Sequence, residues 1–520
     1  MIKRFPPGKV PWDKIAGKIS GKLPPEVVLG PAAGEDAAIV KIGGELWAVA
    51  SDPITFTSRE AGKLSVIVNA NDVAVRGARP LYYTATVLVS PEDSDEDFVG
   101  SLLEDIRAAC DSQGIALIGG HTEVTPGLPH TVIAGTMLGK VTGKLITTGG
   151  LREGDLVGMT KWTGLEGTSI LLNEFKDRLL DIHGPEAFQK VDRILGKEWL
   201  SIVPEAAAAA ACPHVTALHD VTEGGVGEAL YELAVASGLS VHVNPDSIPI
   251  LQETQLICSD LGMSPFGLIG SGSLLVGCAM EGKKELEKAF ADLGIPFSWI
   301  GEAGAGEDKP ASTLPRFERD EILKAWLLKD MEACIFDMDG TLIDSDYDWP
   351  SIRADLGVDG ISIIDDLNGL EGEENEEKWA RLREIEREAT FAARLRPGTS
   401  DLLALLLEKG VKTALVTNNS DENVSYLLEK FGLSFDVVLT RDSGLYKPSG
   451  APLTEAVRRM DVSPGKTLCV GDSPYDIVSC RDAGCGCVCI LFDERGRCGH
   501  EADIQFPDVY DFIRYLRIVL

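Results

Sequence analysis

Two aspartates, Asp337 and Asp339, lie two positions apart in EACIFDMDGTLID, directly after an apolar run that predicts a buried strand. That spacing lets both carboxylates reach one pocket beyond the end of the strand. One carboxylate can attack phosphorus as a nucleophile, while the other exchanges a proton with the leaving oxygen. The pair therefore indicates phosphoryl-transfer chemistry.

Three later segments follow other predicted strands and supply the remaining groups that this chemistry requires. In LVTNNS, the Thr417 hydroxyl can hydrogen-bond to a phosphate oxygen, and in YKPSGAP the Lys447 ammonium can neutralise charge on phosphate and nucleophile. The segment VGDSPYD adds Asp472 and Asp476, whose hard oxygen atoms suit Mg²⁺ together with Asp337. From Pro397 onward, helices and strands alternate, which predicts a parallel sheet with ligands at the carboxyl ends of its strands.

These four segments, in this order, resemble the haloacid dehalogenase superfamily from Glu332 to the C-terminus. The resemblance implies that Asp337 is the nucleophile and forms an aspartyl-phosphate, and that Asp339 is the general acid and base. It further implies a set of phosphate-binding residues and a set of Mg²⁺ ligands. The first set is Thr417, Asn418 and Lys447, and the second is Asp337, Asp339, Asp472 and Asp476.

The acidic, helix-prone stretch from Tyr347 to Phe391 resembles the small cap of phosphoglycolate-phosphatase-like members, which selects the substrate and excludes water. Because a dehalogenase would lack the second aspartate, Asp339 favours hydrolysis of a small phosphate monoester. A phosphomutase shares the same core and remains an alternative.

A second group of carboxylates lies in the first 300 residues, again at the ends of predicted strands. GPAAGEDAAIV places Asp36 in a glycine-flanked turn, SDPIT adds Asp52, NANDVAVRGARP adds Asp72, and LHDVTEGG adds Asp220. Such carboxylates can gather Mg²⁺ around nucleotide phosphates. The glycines that follow Asp220 open a predicted helix whose start would suit a phosphate.

These segments, with GGHTE around His121 and with GSGSLLV, resemble the aminoimidazole-ribonucleotide (AIR) synthetase superfamily between about Gly30 and Gly301. That superfamily includes selenophosphate synthetase, thiamine-monophosphate kinase and a hydrogenase-maturation dehydratase. The resemblance implies an α/β module of two subdomains that forms a homodimer through the sheet of the first. It also implies ATP held through Mg²⁺ by a set of front-module residues. That set is Asp36, Asp52, Asp72, His121 and Asp220.

Departures from these relatives leave the reaction of the front module open. The hydrogenase-maturation member ends in a Pro-Arg-Ile-Cys tail, whereas PASTLPRFERDE leads here into another domain. Selenophosphate synthetases carry a reactive Cys or selenocysteine near the N-terminus, whereas the first cysteine here is Cys110. The module is either an ATP-dependent kinase, synthase or dehydratase, or a nucleotide-binding or dimerising regulator of the phosphatase.

The predicted organisation has four parts along the 520 residues. They are an ATP-binding subdomain at 1–148, a second subdomain at 149–305, a linker at 306–330, and a hydrolase domain at 331–520 with its cap at about 347–395. The linker prediction depends on GEAGAGEDKPASTLP, which is rich in Gly, Ala, Glu and Pro.

The composition limits the classes of partner that the chain is expected to bind. The formal net charge of −32 opposes binding to nucleic acid or anionic membranes, and no apolar run is long enough to span a bilayer. No apolar stretch follows the N-terminal basic residues, so a cytoplasmic location is expected. The cysteines near the C-terminus alternate in CGCVCILF, which predicts thiols packed on a buried strand rather than a zinc site.

Overall fold

The computed structural model describes residues 8–19, 21–55, 60–189, 199–306, 311–345, 347–358, 363–492 and 498–520. Proximity between Cα atoms divides the chain into two units. The front unit is Met1–Ser259 with Met263–Leu323, and the rear unit is Asp260–Gly262 with Lys324–Leu520. Over the described residues, no helix combines the length and apolar character that crossing a membrane requires.

The first sheet of the front unit is largely antiparallel, in the order β1-β2-β3-β7-β5-β6, with β4 paired to β7. Among the described strands of this sheet, only β5 and β6 pair in parallel. Helices α1 (Trp12–Ile19), α2 (Ala61–Ala74) and α3 (Glu96–Gln113) belong to this half of the unit. The strands are β1 (Val27–Leu29), β2 (Ala38–Ile42), β3 (Glu45–Ala50), β4 (Pro53–Ile54), β5 (Ala78–Val89), β6 (Ala116–Val124) and β7 (Val132–Val141).

The second sheet of the front unit is antiparallel, in the order β10-β12-β8-β11-β9. Its strands are β8 (Leu156–Thr160), β9 (Val215–Asp220), β10 (Ser240–Val243), β11 (Leu274–Cys278) and β12 (Phe297–Gly304). Its helices are α4 (Leu165–His183), α5 (Val203–Ala211), α6 (Gly225–Ser237), α7 (Gln252–Asp260) and α8 (Lys283–Asp292).

The rear unit contains a six-stranded parallel sheet in the order β17-β16-β13-β18-β19-β20. The strands are β13 (Ala333–Phe336), β16 (Lys412–Val416), β17 (Val437–Leu439), β18 (Thr467–Gly471), β19 (Cys487–Leu491) and β20 (Ile504–Phe506). Helices α12 (Thr399–Glu408), α13 (Asp421–Phe431), α14 (Ala451–Met460), α15 (Pro474–Ala483) and α16 (Val509–Val519) alternate with them. The strand order reverses between β13 and β18, which is where ligands bind in such sheets.

A helical insert lies between two short strands of the rear unit, β14 (Ile343–Asp344) and β15 (Arg394–Leu395), which pair antiparallel. It comprises α9 (Trp349–Leu356), α10 (Ile363–Asn368) and α11 (Glu373–Ala392). These helices have an apolar cluster of their own, which includes Ile352, Leu367 and Leu382. The insert is therefore a small cap packed around its own core.

The predicted α/β class and the parallel sheet near the C-terminus are confirmed. The eleven cysteines are all free and buried, and Cys487 and Cys489 lie on β19 as the alternating pattern predicted. The described part of the predicted linker differs from expectation. Leu314 is buried in the core of the second subdomain, and the front unit continues to Leu323 because apolar residues there find partners.

We expect the two units to fold independently, because each has a hydrophobic core of its own. Fragments 1–323 and 324–520 should each be soluble and melt cooperatively in circular dichroism. A rear fragment that stays unfolded under conditions where the full chain folds would contradict this expectation.

Candidate active sites

The loop after β13 brings Asp337 to the edge of the rear sheet. The Asp337 amide donates to the Val470 carbonyl at 2.9 Å, which ties this loop to β18. The chain then turns through Gly340 at a φ of +88°, where a Cβ would lie 2.4 Å from Asp472 Oδ2. Only glycine allows the loops after β13 and β18 to approach so closely.

A buried ammonium group joins two of the acids at this edge. Lys447 Nζ donates to Asp337 Oδ1 at 2.6 Å and to Asp476 Oδ1 at 2.7 Å. Burial opposes the charge of Lys447, but the two carboxylates outweigh it and raise the pKa of the ammonium above its ordinary value. Lys447 is therefore a fixed positive charge beside the predicted nucleophile.

Carboxylate oxygens of Asp337, Asp472 and Asp476 lie within 4.8 Å of one another, close enough to share one cation. Burial, with the charge of Asp476, raises the pKa of Asp472 to about 7, and burial also raises the pKa of Asp337. Three carboxylates face one ammonium, so the group carries an excess of negative charge. Hard oxygen donors with excess negative charge fit Mg²⁺.

The Asp339 carboxylate lies outside that group and has different partners. Its Oδ1 accepts a short hydrogen bond from Ser345 Oγ, and its Oδ2 accepts from Asn419 Nδ2 at 3.0 Å. Burial raises the pKa of Asp339, which favours a carboxyl that can hold and release a proton. The structure thus separates Asp339 from the other three predicted metal ligands, which are Asp337, Asp472 and Asp476.

Thr417 and Asn418 follow β16 beside these acids. The side chain of Asn418 accepts from the Lys447 amide and donates to the Lys447 carbonyl, both at 2.8 Å. Asn418 therefore fixes the backbone of Lys447. Thr417 is buried, and its hydroxyl accepts from the Asn419 amide at 3.2 Å.

The predicted catalytic, phosphate-binding and metal-binding residues of the rear unit, except Asp476, line one cavity of about 540 Å³ under the cap. Its walls also include Tyr347, Ile363 and Leu382 of the insert and Tyr475 of the core. Sequence reasoning missed Asn419, Glu386 and Arg441, which line the same cavity. Asn419 directly follows Asn418 in LVTNNS, and this position could have indicated it. No local pattern indicates Glu386 or Arg441.

In the front unit, Asp36 lies next to a fully buried arginine that the sequence did not indicate. Arg76 Nη2 donates to Asp36 Oδ2 at 2.8 Å, and Arg76 Nη1 lies 2.7 Å from Glu35 Oε2. His219 Nδ1 lies 3.0 Å from the same Asp36 oxygen, and its Nε2 lies 3.1 Å from Glu232 Oε2. Burial disfavours the His219 charge, but these two acids raise the pKa of the imidazole to about 10.

Asp220 belongs to the same group, since one of its carboxylate oxygens lies within 4.8 Å of ligand atoms of Asp36 and His219. Asp72 and Asp220 are buried, whereas Asp52 is exposed. Burial is the main cause that raises the pKa of Asp72 and Asp220, and the charge of Asp36 adds to it. For Asp220 the pKa rises to about 8. Among the described residues, Asp72 Oδ2 and both carboxylate oxygens of Asp220 are buried without a hydrogen-bond partner, so these oxygens fit a cation.

His121 is placed differently from the other predicted ligands. It lies on β6, 65% exposed, with Nε2 3.1 Å from Glu123 Oε2. In the part of the chain that the structure describes, no hydrogen bond or ion pair links it to the four aspartates. The structure therefore places Asp220 beside Asp36, whereas His121 has no such contact with the predicted acids among the described residues.

The glycine-initiated helix α6 begins as predicted, with Gly224 in the left-handed region before it. The Gly224 amide, however, donates to Asp320 Oδ2 at 2.6 Å, and the Ile269 amide donates to Asp320 Oδ1 at 3.1 Å. Asp320 thus accepts a hydrogen bond from an amide at the helix start that the sequence predicted to bind phosphate. The sequence did not indicate Asp320 because it lies 96 positions after Gly224, in the predicted linker.

Comparison with family models assigns both units. Residues 331–484 match the haloacid dehalogenase-like hydrolases, residues 34–141 match the N-terminal domain of AIR synthase related proteins, and residues 152–311 match the C-terminal domain of the same proteins. The chain therefore belongs to the AIR synthase-related family in its front unit and to the haloacid dehalogenase-like hydrolases in its rear unit. Both predicted resemblances are confirmed.

Individual relatives match one unit each. The carbamoyl dehydratase HypE of Azotobacter vinelandii is 29% identical over 253 residues, 46% of this chain and 67% of that protein. An uncharacterized hydrolase of Saccharomyces cerevisiae is 30% identical over 202 residues, 36% of this chain and 93% of that protein. A haloacid dehalogenase-like hydrolase domain-containing protein of Arabidopsis thaliana is 28% identical over 181 residues, 32% of this chain and 74% of that protein.

The raised pKa of Asp220 predicts how the stability of the metal-free protein changes with pH. Between about pH 4 and pH 8 the folded state keeps a proton that the unfolded state has lost, so the free energy of unfolding should fall as pH rises. Asp220→Asn removes this titration. In excess chelator, the variant should melt at the same temperature as the parent near pH 4.5 and above it at pH 8, as followed by calorimetry. Equal melting temperatures of parent and variant at pH 8 would contradict a raised pKa for Asp220.

Proposed function

We propose that the rear unit is a Mg²⁺-dependent phosphatase that hydrolyses a small phosphate monoester through an aspartyl-phosphate. The observation that supports this most strongly is the contact of Lys447 Nζ with both Asp337 and Asp476 beside Asp472. One fixed cation beside three carboxylates keeps a nucleophile in place and leaves room for a second cation. Bound Mg²⁺ would neutralise charge on the transferring phosphoryl group.

Asp337 and Asp339 have different roles in this reaction. Asp337 attacks phosphorus as the bond to the ester oxygen breaks, and Asp339 donates its proton to the leaving oxygen. Asp339, now ionised, removes a proton from water, which attacks the aspartyl-phosphate and releases inorganic phosphate. Thr417 and Lys447 hold the phosphate oxygens during both steps. The 540 Å³ cavity and its partly apolar walls favour a small ester with an uncharged body.

We further propose that the front unit is an ATP-dependent enzyme. Its support is the set of buried carboxylate oxygens without partners on Asp72 and Asp220, which Mg²⁺ and nucleotide phosphates would satisfy. Asp36 is held by Arg76 and His219 beside them. The similarity to a carbamoyl dehydratase favours chemistry on a small metabolite over a purely regulatory role.

The front unit is proposed to act as a homodimer. All nine residues of β6 are exposed, and this strand pairs only with β5 among the described strands. Proteins usually cover so long an edge strand, and a second copy would do so. The net charge of −32 supports small-molecule partners rather than nucleic acid or anionic membranes.

For the phosphatase, Asp337→Asn should lower phosphate release by about three orders of magnitude or more while folding survives, because it removes the nucleophile and a metal ligand. Asp339→Asn keeps the nucleophile, so its defect should shrink with p-nitrophenyl phosphate, whose leaving group needs no proton. The measurement is phosphate release from a panel of small esters with and without Mg²⁺.

A matched control for these variants is Asp355→Asn, an exposed aspartate of the cap that should leave turnover unchanged. If Asp337→Asn retains turnover near that of the parent, the aspartyl-phosphate mechanism does not operate here.

For the front unit, Asp72→Asn should weaken binding of ATP with Mg²⁺ by about tenfold or more, since one carboxylate leaves a site with several ligands. Calorimetry on the full chain measures the affinity, with the exposed Asp97→Asn as a control that should bind like the parent. Equal affinity in the Asp72 variant would remove this residue from the site.

A further inference from the structure

A buried ion pair joins the cap to the core at the wall of the phosphatase cavity. Arg441, two positions after the end of β17, donates from Nη1 and Nη2 to both carboxylate oxygens of Glu386 on α11, with Nη2 2.6 Å from Oε2. The two side chains are 6% and 7% exposed. A bidentate pair this deeply buried is costly to break, because either partner alone would be a charge without compensation.

Arg441 also contacts the loop that carries the phosphate-binding residues. Its Nη1 donates to the Asn418 carbonyl at 3.2 Å, while the Asn418 side chain makes the two hydrogen bonds that fix the Lys447 backbone. Lys447 in turn holds Asp337. A continuous series of polar contacts therefore runs from the cap helix to the nucleophile.

The ion pair lies at the boundary of a second, larger cavity. A cleft of about 1370 Å³ lies between α11, α13 and residues 441–446, and Ile364 and Arg441 line both it and the catalytic cavity. Trp379, on the cleft side of α11, places its ring 5.3 Å from the Arg441 guanidinium carbon. The closed position of α11 thus separates the reacting groups from an open, polar cleft.

We propose that Arg441 is a positioning residue of the phosphatase, which couples closure of the cap through Glu386 to the placement of Asn418 and Lys447. The guanidinium is engaged by Glu386 and by the Asn418 carbonyl, and we assign its effect to these two contacts. When the pair forms, the cap is closed and Lys447 is held against Asp337. When the ion pair breaks, the cap and Lys447 are released together.

This inference rests on the proposed phosphatase activity, and its test separates the two. In the full chain, Arg441→Met and Glu386→Gln should each lower kcat for p-nitrophenyl phosphate by about 10- to 100-fold, because small displacements of reacting groups are costly. KM should change less than kcat. The double variant should be no worse than the poorer single variant, because the two side chains act as one unit. Arg441→Lys, which keeps the charge but loses the bidentate geometry, should recover part of kcat.

A second measurement does not depend on turnover. Hydrogen exchange of the backbone amides of residues 373–392, without any ligand, should be faster in Arg441→Met than in the parent. The matched control is Arg381→Met, which removes an ion pair with Asp355 on the exposed side of the same cap, where both side chains are about half exposed. That control should leave kcat and the exchange of residues 373–392 at parental values.

The outcomes are distinct. A folded Arg441→Met variant with parental kcat and parental exchange overturns the inference. Additive losses in the double variant, or a rise in KM alone, overturn it as well, since the pair would then act separately or control access only. A parent that releases no phosphate from any ester refutes the proposed phosphatase, while the exchange measurement still decides whether Arg441 holds the cap.

Discussion

The excess of buried carboxylates over buried cations is the constraint on which both candidate sites depend. In the rear unit, Lys447 balances part of the charge of Asp337, Asp472 and Asp476, and in doing so it joins the loop after β13 and the first turn of α15 to its own loop. An apolar residue in its place would leave three carboxylates to repel one another away from water. The arrangement of strands brings these acids together, and the ammonium keeps them in one arrangement.

The front unit meets the same constraint with a different set of cations. Arg76 contacts Glu35 and Asp36, and His219 lies between Asp36 and Glu232, so charges of opposite sign alternate through the site. Asp72 and Asp220 lie beyond the reach of these hydrogen bonds. Burial, with the charges of neighbouring aspartates, raises the pKa of both carboxyls. Buried carboxylates in that condition are typical of sites that take a cation from solution.

The sequence predicted the parts of the structure that depend on local pattern. Apolar runs followed by acids predicted strand ends and their carboxylates, because in a parallel sheet such ends meet at one edge. Contacts between distant segments left no comparable signal. Glu386 and Arg441 are 55 positions apart, and Glu386 looks like any other acid of a charged helix. Asp320 and Leu314 lie in a stretch whose composition resembles a linker, yet they pack in the front unit because Gly224 and the second subdomain offer them partners.

Joining two such units in one chain has a physical consequence that is independent of their chemistry. Each described site draws its residues from one unit only, so neither needs the other to assemble its charged groups. A substitution in one site is therefore expected to leave the charge balance of the other unchanged. Within the rear unit, the cap is held by contacts of that unit alone, because Glu386 and Arg441 both belong to it. Separating these two side chains requires the simultaneous loss of two charge-assisted hydrogen bonds.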